Sequence, residues 1–197
     1  MTIQIAILSL IILFTAELMY FQIASRFNII DQPNHRSSHT SITIRGGGII
    51  FPIAVILWWV FNDFANSYFV LALIALSVIS FIDDLVDLNR LVRLSVHLTA
   101  VLLLFFEWSL YSLAFYWLFI AAIFVIATIN AYNFMDGING ILGAYSLVVL
   151  ASLFYINNSI QFTDSNLILI AFMAVLVFNF FNFRKKGFSA IFNSVFS

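Results

Sequence analysis

The sequence predicts an all-α, polytopic integral membrane bundle of about seven transmembrane helices, and three observations lead there. Of the 197 residues, 63% are hydrophobic and 9% charged, and the mean hydropathy is +1.09, far from the composition of a water-soluble domain. The apolar residues, among them 24 Phe, run on without the apolar–polar alternation of a barrel strand, and there are only two Pro. In hydrocarbon every backbone group must be satisfied internally, so such runs become helices. Finally, all eight Lys and Arg fall in alternate connections, the pattern of a chain that crosses a bilayer repeatedly.

The elements follow in order. The first apolar run, 3–24, has no basic residue before it and no small-x-small cleavage site after it, so it reads as a retained helix and not a signal peptide. Further runs occupy 49–61, 68–82, 91–106, 110–129, 141–156 and 167–183. Several fall short of the roughly 20 residues that span a bilayer core, and those helices borrow neighbours or sit where the protein admits water. The expected organisation is one transmembrane domain, 1–186, and an atypical Phe- and Ser-rich tail, 187–197, without helical period: disordered, or the scar of a truncation. Without Cys there is no disulfide, which by itself identifies no compartment.

Orientation comes from the cations. Arg26, Arg36 and Arg45 follow the first run, Arg90 and Arg93 the third, and Arg184, Lys185 and Lys186 the seventh, whereas the opposite loops carry only Asp63, Glu107 and Asp164. Positive loops are cytoplasmic, which places the N-terminus outside and the C-terminus inside.

Three polar clusters share that positive side: "DQPNHRSSHTSITIRGGG" (31–48), "DDLVDLNRLVRLSVH" (83–97) and "NAYNFMDGINGI" (130–141). Together they suggest one site at a membrane surface, facing water and lipid at once. Taken singly, each has a plain alternative. Asp83 and Asp87, four apart, would share a helical face and repel by roughly 0.2–0.5 kcal/mol. Arg90 or Arg93 could offset that, or a Mg2+ held by one or two carboxylates and substrate phosphates. Asp136-Gly137 and Asn139-Gly140 are also ordinary turn pairs. Gly46-Gly47-Gly48 suits close helix packing as well as close approach to a phosphate.

In this order and sidedness the three stretches resemble the polyprenyl-phosphate N-acetylhexosamine-1-phosphate transferases of bacteria, the glycosyltransferase 4 family, from Met1 to about Phe183. The "PNHRSSHT…RGGG" form is more similar to the branch that starts O-antigen and capsular polysaccharides than to the peptidoglycan enzyme. The resemblance implies transfer of an N-acetylhexosamine 1-phosphate from a UDP-sugar to undecaprenyl phosphate, with release of UMP. It implies Mg2+ (or Mn2+) as cofactor, the bacterial cytoplasmic (inner) membrane as location and the cytoplasmic face as the active one. It also implies no nucleic-acid partner and leaves a homodimer open.

Residue by residue, the resemblance makes Asp83, Asp84 and Asp136 catalytic and Asp83, Asp84 and Asp87 metal-binding, with Asp83 accepting a proton from the attacking phosphate or orienting it. Asn133, with Asn130 as a weaker member, faces the nucleotide. Asn139 stands where several relatives carry a second Asp. His35, Arg36, Ser37, Ser38, His39 and Arg45 form a polar loop suited to neutralising phosphate. Where family members often read Thr-Pro-Arg, the middle residue here is Ile44.

The family pattern continues past the seventh helix with a "GDxGS" element and further helices, whereas this chain reads "NFRKKGFSAIFNSVFS". The expectation is a truncated member that turns over poorly, or a non-catalytic protein that binds polyprenyl phosphate. A transporter is disfavoured: only Glu17 and His97 lie at membrane depth, as a bundle-facing contact and a helix-face histidine, and no internal repeat is present.

Overall fold

The computed structural model describes residues 2–31, 43–44, 46–86, 88–135 and 140–182. Seven α-helices follow one another among them: α1 (Ile3–Arg26), α2 (Ile50–Phe61), α3 (Ser67–Leu85), α4 (Arg90–Glu107), α5 (Phe115–Met135), α6 (Ile141–Ile160) and α7 (Ser165–Asn182). Each matches a predicted run. The clearest departure in register is α5, which starts at Phe115 and not at 110 because Leu110–Ser112 form a separate 3-10 turn. Five helices are long and apolar enough to cross a membrane: α1, α3, α5, α6 and α7. The chain is a multi-pass membrane protein. Two two-residue strands, β1 (Ile30–Asp31) and β2 (Thr43–Ile44), pair antiparallel with Ile30 opposite Ile44. The tail from 183 on lies outside the described residues.

The chain forms two compact units. The first, Met1–Ala54 with Asp136–Ser197, contains α1, the strand pair, α6 and α7. On α1 the buried residues Ser9, Leu13, Glu17, Tyr20, Phe21 and Ala24 recur at three- and four-residue spacing, one helical stripe. Alongside it, Phe14 packs between Phe180 and Phe181 of α7 at ring separations of 5.6 and 5.2 Å. The stack is extended by Phe21 on Phe181 at 5.3 Å. On α6, Gly143 gives Asn179 of α7 its space: a Cβ there would overlap the amide oxygen and lie 2.6 Å from Cγ. The reversal between these helices is held by Asn157, 1% exposed. Its amide donates to Thr163 O (2.9 Å) and Ser165 Oγ (3.0 Å), and its oxygen accepts from Thr163 N–H (3.0 Å).

The second unit, Val55–Met135, is built on the α3–α4 hairpin with α5 against α4. Asn66, in the left-handed region, offers α3 no side-chain cap. Glu107, at the far end of α4, supplies one instead: Oε2 accepts from the N–H groups of Tyr68 (2.8 Å) and Phe69 (3.2 Å). It satisfies two of the orphan donors of a helix start and lies at the positive end of its dipole. Aromatic rings gather there, with Tyr68 edge-on to Phe106 at 4.8 Å, Trp59 to Phe64 at 4.9 Å and Phe69 near Trp108 at 5.9 Å. Such a belt is what a membrane–water boundary favours. Helix α5 buries no residue, and its largely apolar surface up to Ile126 suits lipid contact.

Candidate site at the α3–α4 junction

Helix α3 stops because Val86 turns extended (φ −140°, ψ 128°), and α4 starts when Asn89 Oδ1 accepts the Leu91 N–H at 2.9 Å. Between the two, Asp83 gathers the junction. Its Oδ1 accepts from Leu88 N–H at 3.2 Å and its Oδ2 from Arg93 Nη1 at 2.6 Å. Each partner would be poorly placed alone. Asp83 lies in the last turn of α3, where the helix dipole is negative, and Arg93 in the first turn of α4, where it is positive. Together they offset both. The pair is half-buried, with Asp83 21% and Arg93 36% exposed.

Helix α3 ends at Leu85 and Val86 is extended, and the expected face shared by Asp83 and Asp87 falls on a residue beyond that end. Asp87 itself lies outside the described residues. Of the cations that could offset Asp83, Arg93 is the one that does. Asp84 is exposed in the same last turn.

Asn130 and Asn133 are exposed on the C-terminal part of α5, where the Asn130 amide donates to Ile126 O at 2.8 Å. Asp136 and Asn139 lie outside the described residues, as do His35, Arg36, Ser37, Ser38, His39 and Arg45. Their flanks are described. Gly140 (φ 86°) opens α6 and Gly46 (φ 77°) opens the 3-10 turn Gly47–Ile49, both in the left-handed region that favours glycine. Ile44 belongs to β2. At Gly47 a Cβ would stand 3.5 Å from Glu17 Oε1 and 3.6 Å from Phe178, ordinary van der Waals separations, so packing there does not demand a glycine.

His97 is buried on α4 one turn beyond Arg93, as expected of a helix-face histidine. Glu17 is buried on α1, yet among the described residues its Oε2 has no hydrogen-bond partner, and neither do the amide atoms of Asn179. Sequence reasoning overlooked Asn157, Asn179 and the capping role of Glu107. For Glu107 a signal was present: an acid alone at the end of an apolar run.

Among the described residues no group of three or more His, Cys, Asp or Glu is disposed around a metal. Asp83, whose Oδ2 takes the Arg93 guanidinium, and the exposed Asp84 are the described carboxylates there that could join a cation, and one or two carboxylates suffice where substrate phosphates supply the remaining ligands.

Residues 66–194 match the family described as Glycosyl transferase family 4. The chain is 28% identical over 161 residues to the undecaprenyl-phosphate alpha-N-acetylglucosaminyl 1-phosphate transferase of Escherichia coli K12, an alignment covering 73% of this chain and 44% of that protein. It is 28% identical over 130 residues to the protein of the same name from Thermotoga maritima, covering 63% and 42%. The aligned part of the chain thus spans less than half the length of these relatives. No solved structure matches.

Proposed function

The chain belongs to glycosyl transferase family 4, and from that membership we propose that it serves the transfer of an N-acetylhexosamine 1-phosphate from a UDP-sugar to undecaprenyl phosphate. The reaction would run at the cytoplasmic face of a bacterial inner membrane, release UMP and start a cell-surface polysaccharide. The observation that carries this reading is the Asp83 carboxylate, inside the matched stretch and holding a cationic group at 2.6 Å where two helices meet.

In the proposed reaction an oxygen of the lipid phosphate attacks the β-phosphorus of the UDP-sugar. A new phosphoanhydride bond forms there, the bond between the β-phosphorus and the bridging oxygen breaks, and that oxygen departs with UMP. Two anions must meet, so positioning and charge neutralisation dominate. Mg2+, held by Asp83 and Asp84 with Asp87 and Asp136, would supply neutralisation of the diphosphate. Asp83 would orient the attacking phosphate. Asn133, Asn130 and Asn139 would offer amide donors to phosphate or uridine, and Arg36, Ser37, Ser38, His39 and Arg45 would receive the lipid phosphate. The alternating direction of successive membrane helices supports this grouping, since it puts the C-terminal ends of α3 and α5 on one side.

The test is a chimaera in which residues 1–182 replace the matching stretch of the E. coli relative. It is supplied with UDP-[14C]N-acetylglucosamine, undecaprenyl phosphate and Mg2+. Radioactivity should pass to the organic phase as lipid diphosphate sugar. A folded chimaera that leaves all label in the aqueous phase would refute the proposal.

A further inference from the structure

Asp83 is engaged on both oxygens, by Leu88 N–H and by Arg93 Nη1, which sets a condition on any ion that joins it. Resting on the Mg2+-assisted reading above, we infer that Arg93 is a positioning residue that couples cation binding to diphosphate binding. Its guanidinium opposes a divalent cation arriving alone and passes to a phosphate oxygen when cation and diphosphate arrive together.

Charge balance gives the reason. The Asp83–Arg93 pair is neutral as it stands. Counting Asp83, Asp84 and Arg93, a divalent cation alone would leave one uncompensated positive charge in a half-buried junction beside the positive end of α4. The negative charges of a nucleotide diphosphate remove that excess, and they offer Arg93 an acceptor matching its fork of donors. Geometry allows the exchange. Arg93 lies in the first turn of α4 and is 36% exposed, so its long side chain can be re-aimed without unpacking the stripe of His97, Ala100, Val101 and Phe105 behind it. The other carboxylate in that turn of α3, Asp84, is exposed and stays with the cation. By linkage, whatever factor the diphosphate adds to cation affinity, the cation adds to diphosphate affinity.

The test titrates Mn2+ into the full chain in lipid nanodiscs, with and without UDP, following free Mn2+ by electron paramagnetic resonance. UDP should tighten Mn2+ binding roughly tenfold, within the usual range for coupled sites. In Arg93→Gln, Mn2+ alone should bind more tightly and the effect of UDP should shrink several-fold, whereas Arg93→Lys keeps it. Unchanged Mn2+ affinity and unchanged UDP effect in Arg93→Gln would overturn the coupling, as would a UDP effect absent from the unaltered chain. If Asp83→Asn still weakens Mn2+ binding in that event, the Mg2+ reading stands and only the coupling falls; if Asp83→Asn changes nothing, both fall. A second measurement needs no variant. In a chain carrying isotope-labelled arginine, the Arg93 guanidinium resonance should move on adding Mg2+ with UDP and stay in place with Mg2+ alone. Movement with Mg2+ alone, or in neither case, overturns the inference.

Discussion

A carboxylate in the last turn of a helix and an arginine in the first turn of the next are each costly until they meet, and Asp83 with Arg93 is that meeting. The sequence places both residues at one loop but cannot choose between Arg90, Arg93 and a metal, because the choice depends on where α3 stops. It stops at Leu85. Asn157 was out of reach for a different reason. The apolar run closes just before it, whereas the helix continues to Ile160 and buries Asn157 under the turn it holds. Asn157→Ala should therefore lower stability by about 1–3 kcal/mol, the usual cost of stranding buried donors and acceptors. Equilibrium unfolding in detergent micelles checks it, and a loss under about 0.5 kcal/mol would deny the role.

At the level of elements, composition and run length suffice to find all seven helices, since a bilayer leaves the backbone few alternatives. What they miss is set by tertiary contact. The β1–β2 ladder and the Glu107 cap on α3 both depend on neighbours distant in sequence. The α6–α7 contact is a further case, where Gly143 looks like any helical glycine until Asn179 is seen against it. Gly143→Ala should cost about 1–3 kcal/mol by overpacking. Because the Asn179 amide makes no hydrogen bond among the described residues, the double variant Gly143→Ala with Asn179→Ala should recover most of that loss. A double-mutant cycle by thermal unfolding measures it, and strict additivity would contradict the contact.

For the whole molecule, the distribution of Lys and Arg predicts which connections face the cytoplasm. Cysteines at Ser38 and Asn89 should resist an impermeant thiol reagent in intact cells, and one at Asn66 should react; labelling of the first two from outside would invert the topology. The sequence nominates the candidate site's residues one by one but does not say how they assemble, and of those proposed Asp83, Asp84, Asn130 and Asn133 lie in the described structure. The central claim is that the Asp83 end of the α3–α4 hairpin handles a cation and a diphosphate to drive sugar-phosphate transfer. The most direct measurement is UMP release by the chimaera, with Mg2+ and with chelator, before and after Asp83→Asn. The account predicts release that needs both Mg2+ and undecaprenyl phosphate and that Asp83→Asn lowers at least about a hundredfold, the scale of losing one electrostatic catalytic contact. Release that continues undiminished in folded Asp83→Asn would contradict it.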